Sequence, residues 1–225
     1  MGAHFIPDRC AVIDKVGSNF LVRGNMPLLP PDNHYALLEL QASSGIASLT
    51  SLTLIDVPII DNVGERVQFE ALCSAFGVDA AKFPASEWPP YGKPGYQPNA
   101  LLGHTLRSED RYMAGAMMWR PFEGLPSGDD PLPYLQSPLW DFGGFIEQVV
   151  QMLASFRTSV IYVHCQLGAD RTGAFHIGYL MRTQGLDLAA ASAKANAATK
   201  AGAPNADYQR LVEAYARYLQ ASKPQ

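Results

Sequence analysis

Residues 159–173 read Ser159-Val160-Ile161-Tyr162-Val163-His164-Cys165-Gln166-Leu167-Gly168-Ala169-Asp170-Arg171-Thr172-Gly173. The first five are apolar and β-branched enough for a strand buried on both faces. A short loop containing Gly168 follows. Thr172 to Thr183 is then mostly apolar and predicts a buried helix ending at Gly185. Strand, loop and helix in that order imply an α/β fold with a central, mainly parallel sheet flanked by helices. In such a loop successive backbone N–H groups can converge into an anion nest. The helix adds its own unpaired N–H groups and its positive dipole end. The natural ligand of that place is a phosphate.

The side chains suit the same ligand. Cys165 opens the cradle, where the N–H groups and the helix end favour its thiolate as a nucleophile. Attack on phosphorus would give a phosphocysteine and divide hydrolysis into two easier steps. Arg171 closes the cradle six positions later. Its planar fork can hold two phosphate oxygens at once, which lysine cannot copy. The backbone of Gln166, Leu167, Gly168, Ala169, Asp170 and Arg171 would bind the phosphate. Thr172 can donate its hydroxyl to the sulfur when sulfur leaves. His164 is expected to orient the loop through its ring N–H groups. Gly168 allows close backbone approach, and Gly173 tight helix packing. Asp170 is acidic inside an anion-binding loop, so it must point away or pair with a basic residue. His176, in the apolar helix, is expected to be a satisfied core histidine, and Cys10 and Cys73 to be structural or incidental.

The segment resembles the signature of the protein tyrosine phosphatase superfamily, His-Cys-x5-Arg-Ser/Thr, in His164, Cys165, Arg171 and Thr172. With Asp170 just before Arg171, it is most similar to bacterial and atypical dual-specificity members. Phe20-Leu21-Val22-Arg23-Gly24-Asn25-Met26-Pro27 resembles the early strand and turn of small dual-specificity phosphatases. The resemblance is specific over about residues 158–182 and suggestive over 18–157. It implies a cysteine-phosphatase fold and hydrolysis of a phosphate monoester without metal or cofactor. The expected substrate is a phosphoprotein or a small phosphorylated molecule, and the expected activity that of a tyrosine or dual-specificity protein phosphatase. Phosphoinositide or inositol phosphate hydrolysis is the alternative, disfavoured because the loop carries no lysine. A phosphate-binding module without turnover is a second alternative. A sulfurtransferase or arsenate reductase is disfavoured by the Arg171-Thr172 ending and by the lack of an obvious partner cysteine.

The resembled family also implies a general acid, usually an aspartate on a mobile loop upstream of the nucleophile. Glu123 to Pro133 occupies that place. Asp130 precedes Cys165 by 35 positions and is favoured over Asp129 and then Glu123. Asp141 falls inside a helix expected to start at Ser137-Pro138, where it cannot swing over the site.

Elsewhere, Asn19 to Arg23 predicts a strand, followed by a turn through Gly24, Asn25 and Pro27. A helix is expected from Asp32, as N-cap, to Ala42. A β-rich stretch is expected over Leu52 to Val57, a helix over Val67 to Phe76 stopping at Gly77, and a strand within Tyr112 to Phe122. Helices are also expected over Leu188 to Thr199 and Asp207 to Gln220. Pro84, Pro89, Pro90, Pro94 and Pro98 break regular structure. They place a proline-rich loop insertion around residues 77–110 of one phosphatase domain spanning 1–225.

Composition agrees with a globular enzyme: 48% of residues are apolar and only 17% charged. The net charge of −4, with no basic block, gives nucleic-acid binding little electrostatic support. Three cysteines are too few and too scattered for a disulfide framework, and no Cys or His spacing suggests a zinc site. The first residues lack the layout of a signal peptide and no apolar run reaches membrane-span length, so a cytoplasmic location is expected.

Overall fold

The computed structural model describes residues 4–47, 49, 52–59, 62–75, 79, 106–108, 111–118, 120, 122, 124–125, 127–128, 135, 141–155 and 159–222. Its centre is a six-stranded sheet built from β1 (Ala11–Val16), β2 (Asn19–Asn25), β5 (Thr53–Pro58), β6 (Leu106–Ser108), β7 (Arg111–Met117) and β8 (Ser159–Cys165). The strand order is β1-β2-β8-β5-β7-β6. The four inner strands are parallel, and the edge strands β1 and β6 pair antiparallel. A small hairpin, β3 (Leu28–Leu29) with β4 (His34–Tyr35), lies outside it. The helices are α1 (Leu37–Ser44), α2 (Asn62–Ala75), α3 (Phe142–Ser155), α4 (Asp170–Gln184), α5 (Leu188–Ala197) and α6 (Ala206–Ala221). This is the α/β arrangement with a mainly parallel sheet that residues 159–173 imply.

β8 is buried along its whole length because both of its faces are covered. Ile161 and Val163 join the core made with α3, α4 and α6, where Phe142, Phe145, Phe175 and Tyr215 meet. Val160 and Tyr162 join the opposite core, with Val22, Leu40, Leu54 and Leu72. The period-two alternation of a strand thus divides one apolar run between two cores. On α4, a Cβ at Gly178 would lie 2.6 Å from Ile146 Cδ1 and 2.9 Å from the Phe142 ring, so this glycine lets α3 and α4 press together.

Several expectations need correction. Asp32 does not cap a helix: the chain is still turning there, Asn33 has φ +56°, and His34–Tyr35 pair with Leu28–Leu29 before α1 begins at Leu37. Gly24 and Asn25 are not a turn but the end of β2, held by the parallel ladder to β8. α2 starts at Asn62, five residues before the expected point, and β7 stops at Met117. β1 was not expected, and neither was β6, which takes residues 106–108 out of the supposed loop insertion because their backbone pairs with β7. Asp141 lies just before α3 rather than within it, and its Oδ1 accepts from the Gly144 N–H at 2.6 Å as an N-cap. Ser137-Pro138 and the prolines of 84–98 lie outside the described residues.

Gly178→Val should overpack the α3–α4 contact. The expected loss is about 2 kcal/mol, or a fall in melting temperature of about 4–8 °C for a chain of this size. Thermal denaturation followed by circular dichroism checks it, and an unchanged midpoint would show that the contact yields freely.

Candidate active site

The site is built where the ladder between β2 and β8 ends, with Asn25 opposite Cys165. Residues 166–169 form the loop, and α4 starts at Asp170. Gly168 has φ +73°, and a Cβ there would lie 2.9 Å from the Gly24 carbonyl oxygen and 3.1 Å from Asn25 Cβ. Conformation and packing both require glycine. The Gly168 N–H donates to Cys165 Sγ at 3.2 Å.

Three carbonyls of the loop are tied down from outside. Gln166 O accepts from Met26 N–H at 3.4 Å, Leu167 O from Arg9 Nη1 at 2.6 Å, and Gly168 O from Arg23 Nη2 at 2.5 Å. A planar trans peptide sets its N–H opposite its C=O. Fixing these carbonyls therefore aims the amides of Leu167, Gly168 and Ala169 the other way, and the Gly168 amide meets the sulfur. Amides turned to one side in this way are what an anion nest requires.

Cys165 is 3% exposed. Arg171 Nε donates to the Phe122 carbonyl at 3.0 Å, and its guanidinium lies 5.7 Å from the centre of the Tyr208 ring. Asp170 points away from the cradle: its Oδ1 accepts from the Asn205 N–H at 2.8 Å. Thr172 is fully buried, and its Oγ1 makes no hydrogen bond among the described residues. A Cβ at Gly173 would lie 2.9 Å from Pro204 Cγ, so the tight packing expected there is present.

His164 departs from expectation. Its ring turns to β5 and α2, where Nε2 lies 3.1 Å from Asp56 Oδ1 and 2.7 Å from Gln68 Nε2. Gln68 also donates to Asp56 Oδ2, and the Tyr35 hydroxyl donates to Asp56 Oδ1 at 3.0 Å. His164 therefore anchors β8 to a buried polar cluster, and among the described residues its ring bonds no group of the loop. Its backbone carbonyl accepts from Ile59 N–H at 2.7 Å. Asp56 was missed; its signal was a lone carboxylate inside the apolar run Leu54-Ile55-Asp56-Val57.

Arg23 was missed as a site residue, although it too interrupts an apolar run. Besides the Gly168 carbonyl it reaches His176 Nδ1 at 3.2 Å and the Ala195 carbonyl at 3.3 Å. His176 is the satisfied core histidine expected: burial first, then Arg23 and Lys194, push it down to about 3, so it is neutral and accepts from Arg23. Burial pushes the Cys10 thiol up to about 12, with Arg23 opposing, which suits a structural cysteine. Cys10, Cys73 and Cys165 are all free thiols.

Asp129, Asp130 and Glu123 lie outside the described residues. The stem beside them is anchored, since Leu125 N–H donates to the Asp207 carbonyl at 2.9 Å and Arg210 Nε to the Leu125 carbonyl at 2.8 Å. Among the described residues no helix is long and apolar enough to cross a membrane.

Neither a protein-family model nor a curated protein matches the chain. Among solved structures, a variant of human DUSP28 is 19% identical, covering 95% of this chain and 98% of its own, at a TM-score of 0.47. Tk-PTP in its active form is 13% identical, covering 93% and 97%, at 0.47. PTPMT1 in complex with PI(5)P is 11% identical, covering 92% and 96%, at 0.44. Likenesses at this level carry no functional argument, so the reading below rests on the loop.

Gly168→Ala should strain the left-handed backbone and drive the loop off Gly24. The expected stability loss is about 1–3 kcal/mol, together with loss of oxyanion binding. Denaturant titration and vanadate binding measure the two, and parent-like binding would show that the loop tolerates a side chain there.

Proposed function

We propose that this chain is a phosphate monoester hydrolase working through a phosphocysteine, with the activity of a tyrosine or dual-specificity protein phosphatase. The observation that carries the reading is the Gly168 amide on Cys165 Sγ, in a loop whose carbonyls are tied outward and which runs into the N-terminus of α4. A nucleophile and a set of anion-binding donors converge on one point there.

In the first step a sulfur lone pair of Cys165 attacks phosphorus and the bond to the leaving oxygen breaks. That oxygen takes the electron pair and a proton from the general acid, assigned to Asp130, then Asp129, then Glu123. In the second step water attacks phosphorus, its proton passes to the same carboxylate, and the S–P bond breaks. Inorganic phosphate and the thiolate result, with Thr172 donating to the departing sulfur. Loop amides and Arg171 hold the equatorial oxygens, where charge spreads in the transition state. The same guanidinium holds the carbonyl of Phe122, the residue before Glu123, so phosphate and the stem of the acid loop meet on one side chain.

For the substrate, Leu167 stands 49% exposed on the loop and offers an apolar rim suited to an aryl group or peptide. The loop also lacks a lysine that would seek further phosphates. A panel of phosphotyrosine and phosphoserine/threonine peptides, phosphoinositides and inositol phosphates tests the class, and turnover confined to the last two would transfer the assignment to them.

Cys165→Ser should abolish turnover of an aryl phosphate while vanadate still binds. Arg171→Lys should cost about a hundredfold in rate, or roughly 3 kcal/mol at the transition state. Parent-like rates in either variant would remove that residue from the mechanism.

Asn substitution of the true acid should slow a phosphotyrosine peptide strongly, flatten the basic limb of its pH profile, and spare activated aryl phosphates. Full peptide rates in both Asp130→Asn and Asp129→Asn would move the assignment to Glu123.

A further inference from the structure

β2 carries a charge where a buried strand should not. Arg23 follows Phe20-Leu21-Val22 and is 1% exposed. Its partners are the Gly168 and Ala195 carbonyls and His176 Nδ1, and among the described residues its Nε has none. Among the described residues no carboxylate pairs with it. A guanidinium holds its proton in proteins. Arg23 is therefore a buried positive charge, and uncompensated burial of that kind is strongly unfavourable. Neutral carbonyls compensate only in part, and the neutral His176 adds no opposite charge.

Arg23 bonds the carbonyl of Gly168, the residue whose amide donates to Cys165 Sγ. Burial pushes Arg23 down to about 10, while attraction to Cys165 leads the opposing effects, followed by Tyr162 and Cys10. Burial lifts the Tyr162 hydroxyl well above its ordinary value and the Cys10 thiol to about 12, so both are neutral near pH 7. Of the three, Cys165 is the one that receives a hydrogen bond from the loop residue Arg23 holds, Gly168. Arg171 stands in the first turn of α4, with its Nε on the Phe122 carbonyl. Beyond His164 lie Asp56, Tyr35 and Gln68, and Lys194 acts on His176 from α5.

Building on the reading of Cys165 as nucleophile, we propose that Arg23 is the buried counter-charge of the Cys165 thiolate and, through the Gly168 carbonyl, the residue that positions the amides of the phosphate loop. It touches neither phosphate nor leaving group, so it is a positioning residue. One side chain thereby couples two requirements of the site. The bond to Gly168 aims the backbone donors, and the charge favours the reactive form of the sulfur.

The two contributions separate by substitution. Arg23→Gln keeps a donor for the Gly168 carbonyl and removes the charge, whereas Arg23→Lys keeps the charge and loses the planar fork. The readout is the rate of Cys165 alkylation by iodoacetamide against pH, followed by mass spectrometry, beside turnover of an aryl phosphate. In Arg23→Gln the alkylation profile should move to higher pH by about one unit or more. In Arg23→Lys it should stay within about half a unit of the parent while turnover falls. A Gln profile that coincides with the parent's, or equal shifts in both variants, overturns the proposal and leaves Arg23 as a tie to Gly168 only. If Arg23→Gln lacks the parent's circular dichroism, Arg23→Lys decides alone, and a shift of about one unit or more overturns the proposal. A parent whose Cys165 alkylates no faster than Cys10 and which hydrolyses no phosphate ester sinks the phosphatase reading instead. An active, reactive parent with an unmoved Arg23→Gln profile sinks only the inference about Arg23.

Discussion

The close approach of Gly168 to the Gly24 carbonyl is the constraint on which the rest of the site depends. A side chain at 168 would meet that oxygen at 2.9 Å, and the backbone there already has φ +73°. The approach is possible because β2 and β8 run parallel to their last residues, so the loop leaving β8 is delivered against the end of β2. From that docking follow the bond from Arg23 to the Gly168 carbonyl and the aim of the Gly168 amide at Cys165. The sheet supplies position, and the glycine lets the loop pack against the end of β2.

Two polar clusters buried within the fold serve this arrangement from different sides. Asp56, Gln68 and Tyr35 hold His164 between β5 and α2, while Arg23 and His176 sit between β2 and α4. Hydrogen bonds are electrostatically stronger in the buried interior than in water, so each one these clusters make holds its elements together. Strand, loop and helix are thereby held at the residues next to Cys165. α6 extends the same logic to the opposite rim. It holds Leu125 through Asp207 and Arg210, and its Tyr208 ring lies beside Arg171.

The buried strand at Ser159–Val163, the helix ending at Gly185 and the helices near the C-terminus were legible because periodicity and stop signals are local properties. The errors lie where a distant partner overrides the local pattern. Asp32 looks like a helix cap, but β3 and β4 pair first and delay α1 to Leu37. Gly24 looks like a turn, but the ladder to His164 keeps it in β2. His164 looks like a loop-orienting residue, yet its ring faces Asp56, 108 positions earlier in the chain.

By itself the sequence determined the chemistry of the cradle: a cysteine, a glycine-containing loop, an arginine six positions on, and a helix to follow. Those features are contiguous, so their geometry is largely set by the backbone between them. Only the tertiary structure decided which charges stand behind the loop. Arg23 and Asp56 come from separate strands, lie far from Cys165 along the chain, and reach its neighbours Gly168 and His164 only because parallel pairing sets β2 and β5 on either side of β8. Burial then gives those charges their weight, since electrostatic effects are strong only where water is excluded.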